Sequence, residues 1–166
     1  MLLWFAGLAV VIVWQVFRDT AIDYRLVVAG VLTPDVVDLA FGGVGPLHTL
    51  AGSVGLLGLV MVATRGHRAA RRRLLAIPIG TFLHLVLDAM WTATSVFWWP
   101  GFGLSFDDEG QGLPSLSRSP ALLVVLELAG LAALLWWWHR FRLDEPERRR
   151  QFLRTGRLDR ALKDER

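Results

Sequence analysis

Four stretches of this chain, residues 1–17, 47–64, 74–99 and 120–141, are apolar over roughly 17–25 consecutive positions, the length that crosses a hydrocarbon core as a helix. The third of them reads as bent or as ending early. A fifth, residues 24–41, is apolar but interrupted by Thr33-Pro34-Asp35. Thr33 suits a helix cap and Pro34 the first turn of a new helix, so this segment reads as a broken span. Backbone breaks at such depth persist only against protein or a polar cavity. The pattern therefore predicts an all-α protein, a polytopic membrane helical bundle of about five spans with a broken second span. Residues 1–141 form the membrane-embedded helical domain and residues 142–166 a basic cytoplasmic tail.

The few charges orient that bundle. Residues 1–141 hold nine Arg and nine acids, whereas residues 142–166 hold nine basic and six acidic residues, so the whole net charge of +3 sits in the tail. Residues 65–73 carry five Arg and no acid; residues 100–119 carry Asp107, Asp108 and Glu109 against Arg118 alone. The positive-inside rule then puts the first loop and the tail in the cytoplasm and the N-terminus outside. An odd number of spans keeps the basic segments together. The first span lacks a basic leader and a small-residue cleavage site and reads as a retained anchor. Trp98, Trp99 and Trp136–Trp138 fall at predicted interfaces. Within the tail, Phe152, Leu153, Leu158 and Leu162 stand among charges with Gly156 between them. That pattern suits a short helix touching anionic lipid or a solvated, partly disordered segment. With no cysteine in the chain, a disulfide scaffold, a thiolate zinc site and a cysteine nucleophile are excluded. No stretch resembles a nucleic-acid reader, so no nucleic acid is expected as a partner.

Inside the spans lie the residues that carry chemistry. Asp35 and Asp38 sit in the broken segment, His48 opens the next span, and His84 and Asp88 lie within the one after it. No Lys or Arg occurs from residue 26 to 64 or from residue 74 to 117, so these acids have no cation within their spans. A buried carboxylate without one takes up a proton or binds a cation. The two imidazoles favour the cation, because histidine with carboxylate is a common shell for zinc, manganese or iron. His84 and Asp88 are spaced i, i+4 and share a helix face, as Asp35 and Asp38 do at i, i+3. Asp38 and His48 flank the turn Gly42-Gly43-Val44-Gly45-Pro46, which lets backbones come close. The five groups are expected to meet in a cavity that opens outward. Glu127, in the last span, suits a protonated carboxyl bonded to a carbonyl and is not counted among the ligands. His67 and His139 are expected to be solvated. Each member also has a structural reading: the two acids can serve a helix dipole, and His84 can be a hydrogen-bonded interior histidine.

Three blocks resemble one family. Gly30-Val31-Leu32-Thr33-Pro34-Asp35-Val36-Val37-Asp38 is similar to its Leu-Pro-Asp-x-Asp block, and Leu47-His48-Thr49-Leu50 to its Thr-His-Ser block. Gly80-Thr81-Phe82-Leu83-His84-Leu85-Val86-Leu87-Asp88, followed by Trp98-Trp99-Pro100, is similar to its Gly-x-x-x-His-x-x-x-Asp segment ending in Trp-Pro. The family is that of the membrane-bound metal-dependent hydrolases, also described as LexA-binding, inner-membrane-associated hydrolases. The His-x-x-x-Asp element is more distantly similar to zinc-dependent phospholipases C. The resemblance implies a multi-pass protein of a bacterial or archaeal inner membrane with a His/Asp metal centre. Carried over, Asp35, Asp38, His48, His84 and Asp88 are both the metal ligands and the catalytic residues, with zinc or manganese as the leading ions. The chain departs from the pattern at Leu39, at Gly45-Pro46-Leu47 and at Leu50, and its first span has no histidine. At least two of the family's ligands and an arginine able to hold phosphate are thereby absent, which leaves a set suited to one metal.

The expected function is metal-assisted hydrolysis of a phosphoester in a lipid-like substrate, the lipid character following from the depth of the site. Two alternatives use the same residues: a non-enzymatic membrane module retaining a structural metal, and a cation or proton pathway. Membrane lipid is an expected partner, and a protein partner or a homo-oligomer stays open.

Overall fold

The computed structural model describes residues 1–41, 44–103 and 118–158, without the side chains of residues 38–41. Among the described residues the protein is all-helical, with 75% of them in helix and no strand. Eight helices follow one another among these residues: α1 (Leu2–Phe17), α2 (Tyr24–Phe41), α3 (Leu50–Ala63), α4 (Arg68–Leu74), α5 (Ala76–Leu87), α6 (Thr94–Phe97), α7 (Pro120–Arg140) and α8 (Pro146–Thr155). Short 3-10 turns at Pro46–His48 and Met90–Thr92 precede α3 and α6.

The helix ends are written in local chemistry. Ser119 caps α7 by accepting the Leu122 N–H, and Pro120 opens the first turn, where its missing N–H costs nothing. Thr49 caps α3 by accepting the Gly52 N–H. The last turn of α5 closes at Asp88, and Ala89 then turns left-handed at φ 59°. That turn stops the predicted span 74–99 well short of its apolar length. Continuing the helix would need Ala89 in the right-handed region.

Among the described residues α7 is the one helix long and apolar enough to cross a membrane, at 21 residues. At 1.5 Å per residue that is about 32 Å, against a hydrocarbon core of about 30 Å. α1 and α3 are shorter apolar helices.

Tyr24–Phe41 is a single helix with Pro34 inside it, which corrects the expected break. The N–H that Pro34 lacks would have bonded the Gly30 carbonyl. That carbonyl accepts the Thr81 hydroxyl of α5 instead, at 3.1 Å, a proton the hydroxyl shares with the Ile77 carbonyl at 3.2 Å, and the helix continues through the proline. Thr33 does not cap anything: its hydroxyl bonds back to the Ala29 carbonyl at 2.7 Å.

Two glycine contacts set the packing. A Cβ on Gly80 would strike the Val27 carbonyl oxygen and the Val31 nitrogen, so α2 and α5 touch backbone to backbone there. Gly7 and Gly130 bring α1 and α7 together in the same way. Phe5, Val13, Tyr24, Val31, Trp137 and Phe141 form the buried core between these helices.

At the end of the bundle where α1 meets α2, α8 docks. Tyr24 N–H donates to the Gly156 carbonyl at 2.8 Å and Leu158 N–H to the Thr20 carbonyl at 3.0 Å. The Phe152 ring lies 5.5 Å from that of Trp137. Of the two readings of the tail, residues 146–155 take the helical one, while Leu162 lies outside the described residues. Asp23, almost wholly buried, is held at 3.1 Å by Arg25 and at 3.1 Å by Arg73. Burial alone would raise its carboxyl, but the hydrogen bonds and charges of the two guanidinium groups outweigh burial and hold it below its usual value.

Candidate metal centre

Three of the five expected ligands come together. Asp35 projects from α2, His48 from the turn before α3, and His84 from α5, and one ligand atom of each lies within 4.8 Å of the other two. The separations are 3.1 Å between the two Nε2 atoms, 3.5 Å from His84 Nε2 to Asp35 Oδ1 and 3.7 Å from His48 Nε2 to the same oxygen. A tetrahedral ion with bonds of 2.0–2.1 Å needs ligand atoms about 3.3–3.4 Å apart. The three edges bracket that value.

The protons are arranged to suit an ion. His84 Nδ1 lies 2.7 Å from the Val31 carbonyl oxygen. A carbonyl only accepts, so Nδ1 carries the hydrogen and Nε2 turns its lone pair towards His48 and Asp35. Metal-bound histidines are commonly fixed in this way through the second nitrogen. The His84 ring is also packed against Phe5, at 4.2 Å between centroids, and meets His48 edge-on at 4.9 Å. Both imidazoles are fully buried, whereas the Asp35 side chain is 44% exposed. The trio is thus walled on the imidazole side and open at the carboxylate, leaving room for a fourth ligand from solvent.

The other two expected ligands stand differently. Asp88 is buried at the end of α5, one turn beyond His84, and its carboxylate is not part of the three-atom group. Arg118 reaches it, with Nη1 3.4 Å from Oδ1 and Nη2 donating to its backbone carbonyl at 3.0 Å. That corrects the expectation of an acid without a cation. The residue before the α7 cap folds over the end of α5, a pairing no count within spans can find. Asp38 lies on α2 one turn from Asp35, and its side chain falls outside the described residues. Glu127 accepts the Leu3 N–H at 3.0 Å, a backbone partner rather than the expected carbonyl, and the Met1 amino nitrogen lies 3.7 Å from its other oxygen.

Sequence reasoning missed Phe5, Val31, Thr81 and Arg118. Only Thr81 left a signal: a proline at i+4 strips the Gly30 carbonyl of its partner, and some donor must replace it. No family model matches the chain, and no curated protein and no solved structure shows significant similarity to it.

Proposed function

We propose that this chain is a multi-pass membrane protein whose Asp35, His48 and His84 hold one divalent ion, and that it hydrolyses a phosphoester of a lipid-like substrate. The observation that carries the reading is the three ligand-atom separations, which fit a tetrahedral ion with an open fourth position. The three-block resemblance supports the reaction class. The membrane setting is supported by the apolar side chains that α3 and α7 turn outward, Leu59, Val62, Val124 and Leu128 among them, each more than half exposed. Close helix contact through glycine also suits a bilayer, where apolar side chains gain little by leaving lipid. On this reading α1, α2, α3, α5 and α7 are the spans, the N-terminus is outside, and α4 and α8 are cytoplasmic.

Bound there, a divalent ion would lower the pKa of a water towards neutrality and polarise the scissile oxygen. Zinc and manganese suit the donor set, as does ferrous iron. His84 and His48 fix the position of the ion, and Asp35 completes the trio at its open side. Asp38 and Asp88 are the carboxylates left uncoordinated, from which the general base would come. Arg118 stands beside Asp88 as its cation, 3.4 Å from Oδ1. The exposed Asp35 favours this reading over a closed structural site, in which four protein ligands leave no room for water.

Elemental analysis of the purified protein tests the site. The wild type should carry about one equivalent of ion, and His48→Ala and His84→Ala less than about a tenth of that. Unchanged metal content in both variants would end the proposal. Turnover of lipid phosphoesters by the metal-loaded protein then separates the hydrolase from a non-enzymatic module with a structural metal. Ion flux in sealed vesicles separates it from a cation pathway.

A further inference from the structure

Residues 18–25, 65–73 and 140–158 hold fourteen of the chain's seventeen arginines against five acids, and the fold draws these three segments to one end of the bundle. Arg72 reaches Asp19 at 2.9 Å, Arg73 reaches Asp23 at 3.1 Å, and Arg25 Nη1 donates to the Leu153 carbonyl at 2.6 Å. The turn between α1 and α2, α4 and α8 thus share one basic face. Most of its acids are already occupied, since Asp19, Asp23, Glu145 and Glu147 each pair with an arginine. Arg18, Arg65, Arg68, Arg149, Arg154 and Arg157 are exposed and make no ion pair among the described residues.

The place of these groups and the way α8 lies narrow the choice of partner. α1 ends at Phe17 with Arg18 next, α3 ends at Ala63 with Arg65 two residues on, and α7 ends in Arg140. The unpaired guanidinium groups therefore stand where three apolar helices stop, the level of the headgroups once those helices cross a bilayer. On α8, Arg148, Phe152 and Thr155, at i, i+4 and i+7, form the half-buried side, and Phe152 meets Trp137. Its aromatic side is occupied by the bundle, so α8 does not sink an apolar face into hydrocarbon as an interfacial helix does. What it turns outward is Arg149, Arg150 and Arg154 around Leu153. Such a face reads charge. Proteins that hold single-stranded nucleic acid set aromatic platforms among their cations, and neither α4 nor α8 turns an aromatic ring outward. We propose that α4 and α8 dock on anionic lipid, laying Arg68, Arg149 and Arg154 against headgroup phosphates of the cytoplasmic leaflet. The proposal rests on the membrane reading above and is independent of the metal and of the reaction.

The test moves the full chain from nanodiscs of phosphatidylcholine and phosphatidylglycerol in equal parts into neutral detergent at low salt. The lipid that stays bound is then counted by mass spectrometry. Phosphatidylglycerol should exceed phosphatidylcholine at least about fivefold, the weight of one arginine at an anionic surface. The excess should vanish at about 1 M salt, where the screening length is about 3 Å. Arg68→Gln, Arg149→Gln and Arg154→Gln together should bring the ratio below about twofold with metal content and melting unchanged. Lysine at the same three positions should keep the excess, because the charge is kept. Equal retention of the two lipids by the wild type overturns the inference, as does an excess that survives the glutamine variant. A loss in the lysine variant as large as in the glutamine variant also overturns it. Where equal retention comes with capture of a mixed-sequence RNA oligonucleotide by the same protein, the face belongs to nucleic acid. All these results leave the membrane reading and the metal site standing. A chain that alkaline carbonate strips from membranes would remove the inference and the membrane reading together.

Discussion

A proline at position 34 withdraws one N–H from the ladder of α2, and the carbonyl four residues back, Gly30, takes the Thr81 hydroxyl in its place. One residue further along α2 from Gly30, the Val31 carbonyl holds His84 Nδ1. The orientation of the imidazole is thus fixed by backbone, not by another side chain that could rotate away. Thr81→Val keeps the shape and removes the donor. It should lower stability by about 1–3 kcal/mol, the cost of leaving a buried carbonyl unmet. Its metal affinity should fall as well, by about tenfold, because the Thr81 bond to the Gly30 carbonyl holds α2, which carries Asp35, against α5, which carries His84. Thermal unfolding in detergent and competition with a chelator read the two effects. A variant that melts like wild type would show that the proline-freed carbonyl is satisfied some other way.

At the scale of elements, the Gly30–Gly80 contact determines how far α2 and α5 stand apart, and therefore whether Asp35 reaches His84. Gly80→Ala must push the helices apart, because its methyl meets backbone that cannot turn aside; a loss of about 2–4 kcal/mol and of metal binding is expected. Gly58→Ala, on the open face of α3 where a methyl meets nothing within 4 Å, should be neutral or stabilising by up to about 1 kcal/mol. Chelator titration of both variants checks the contrast, and equal behaviour would deny the contact its role.

Which elements could be read in advance follows from the same physics. The helices α1, α3 and α7 announce themselves by unbroken apolar runs, and the His84 and Asp88 register by its spacing. Pro34 misleads because its local signal, a helix start, is outweighed by a donor on another helix. The span 74–99, expected to bend or end early, does end early, at the left-handed turn of Ala89, whose exact place composition does not mark. The pairing of Arg118 with Asp88 depends on how α7 lies over α5 and has no local signature at all.

The molecule as a whole is held at one end by Asp23, where Arg25 of α2, Arg73 of α4 and Gly156 after α8 converge. Its carboxyl is held below the usual range. The stability it contributes is therefore complete above the unfolded value of about 3.9 and is lost as pH falls through the folded value. Asp23→Asn should melt lower than wild type at pH 6, by about 1–3 kcal/mol given two half-exposed partners, and the gap should close below about pH 4. A gap independent of pH would mean that shape, not charge, makes the contact. The orientation has its own check, since the chain has no native cysteine. An impermeant thiol reagent should label Phe102→Cys in intact cells and Leu153→Cys only after permeabilisation. Labelling of both from one side would rule out the odd span count.

The Asp23 contact also has a place in time. Its parts come from residues 23, 25, 73 and 156, and a ribosome adding 5–20 residues per second needs roughly 4–17 s to travel from position 73 to position 156. Until then the carboxylate can bind Arg25 and Arg73 but the docking place of α8 stands empty. Closure of that contact therefore reports that α7 has been made and that α8 has docked behind it.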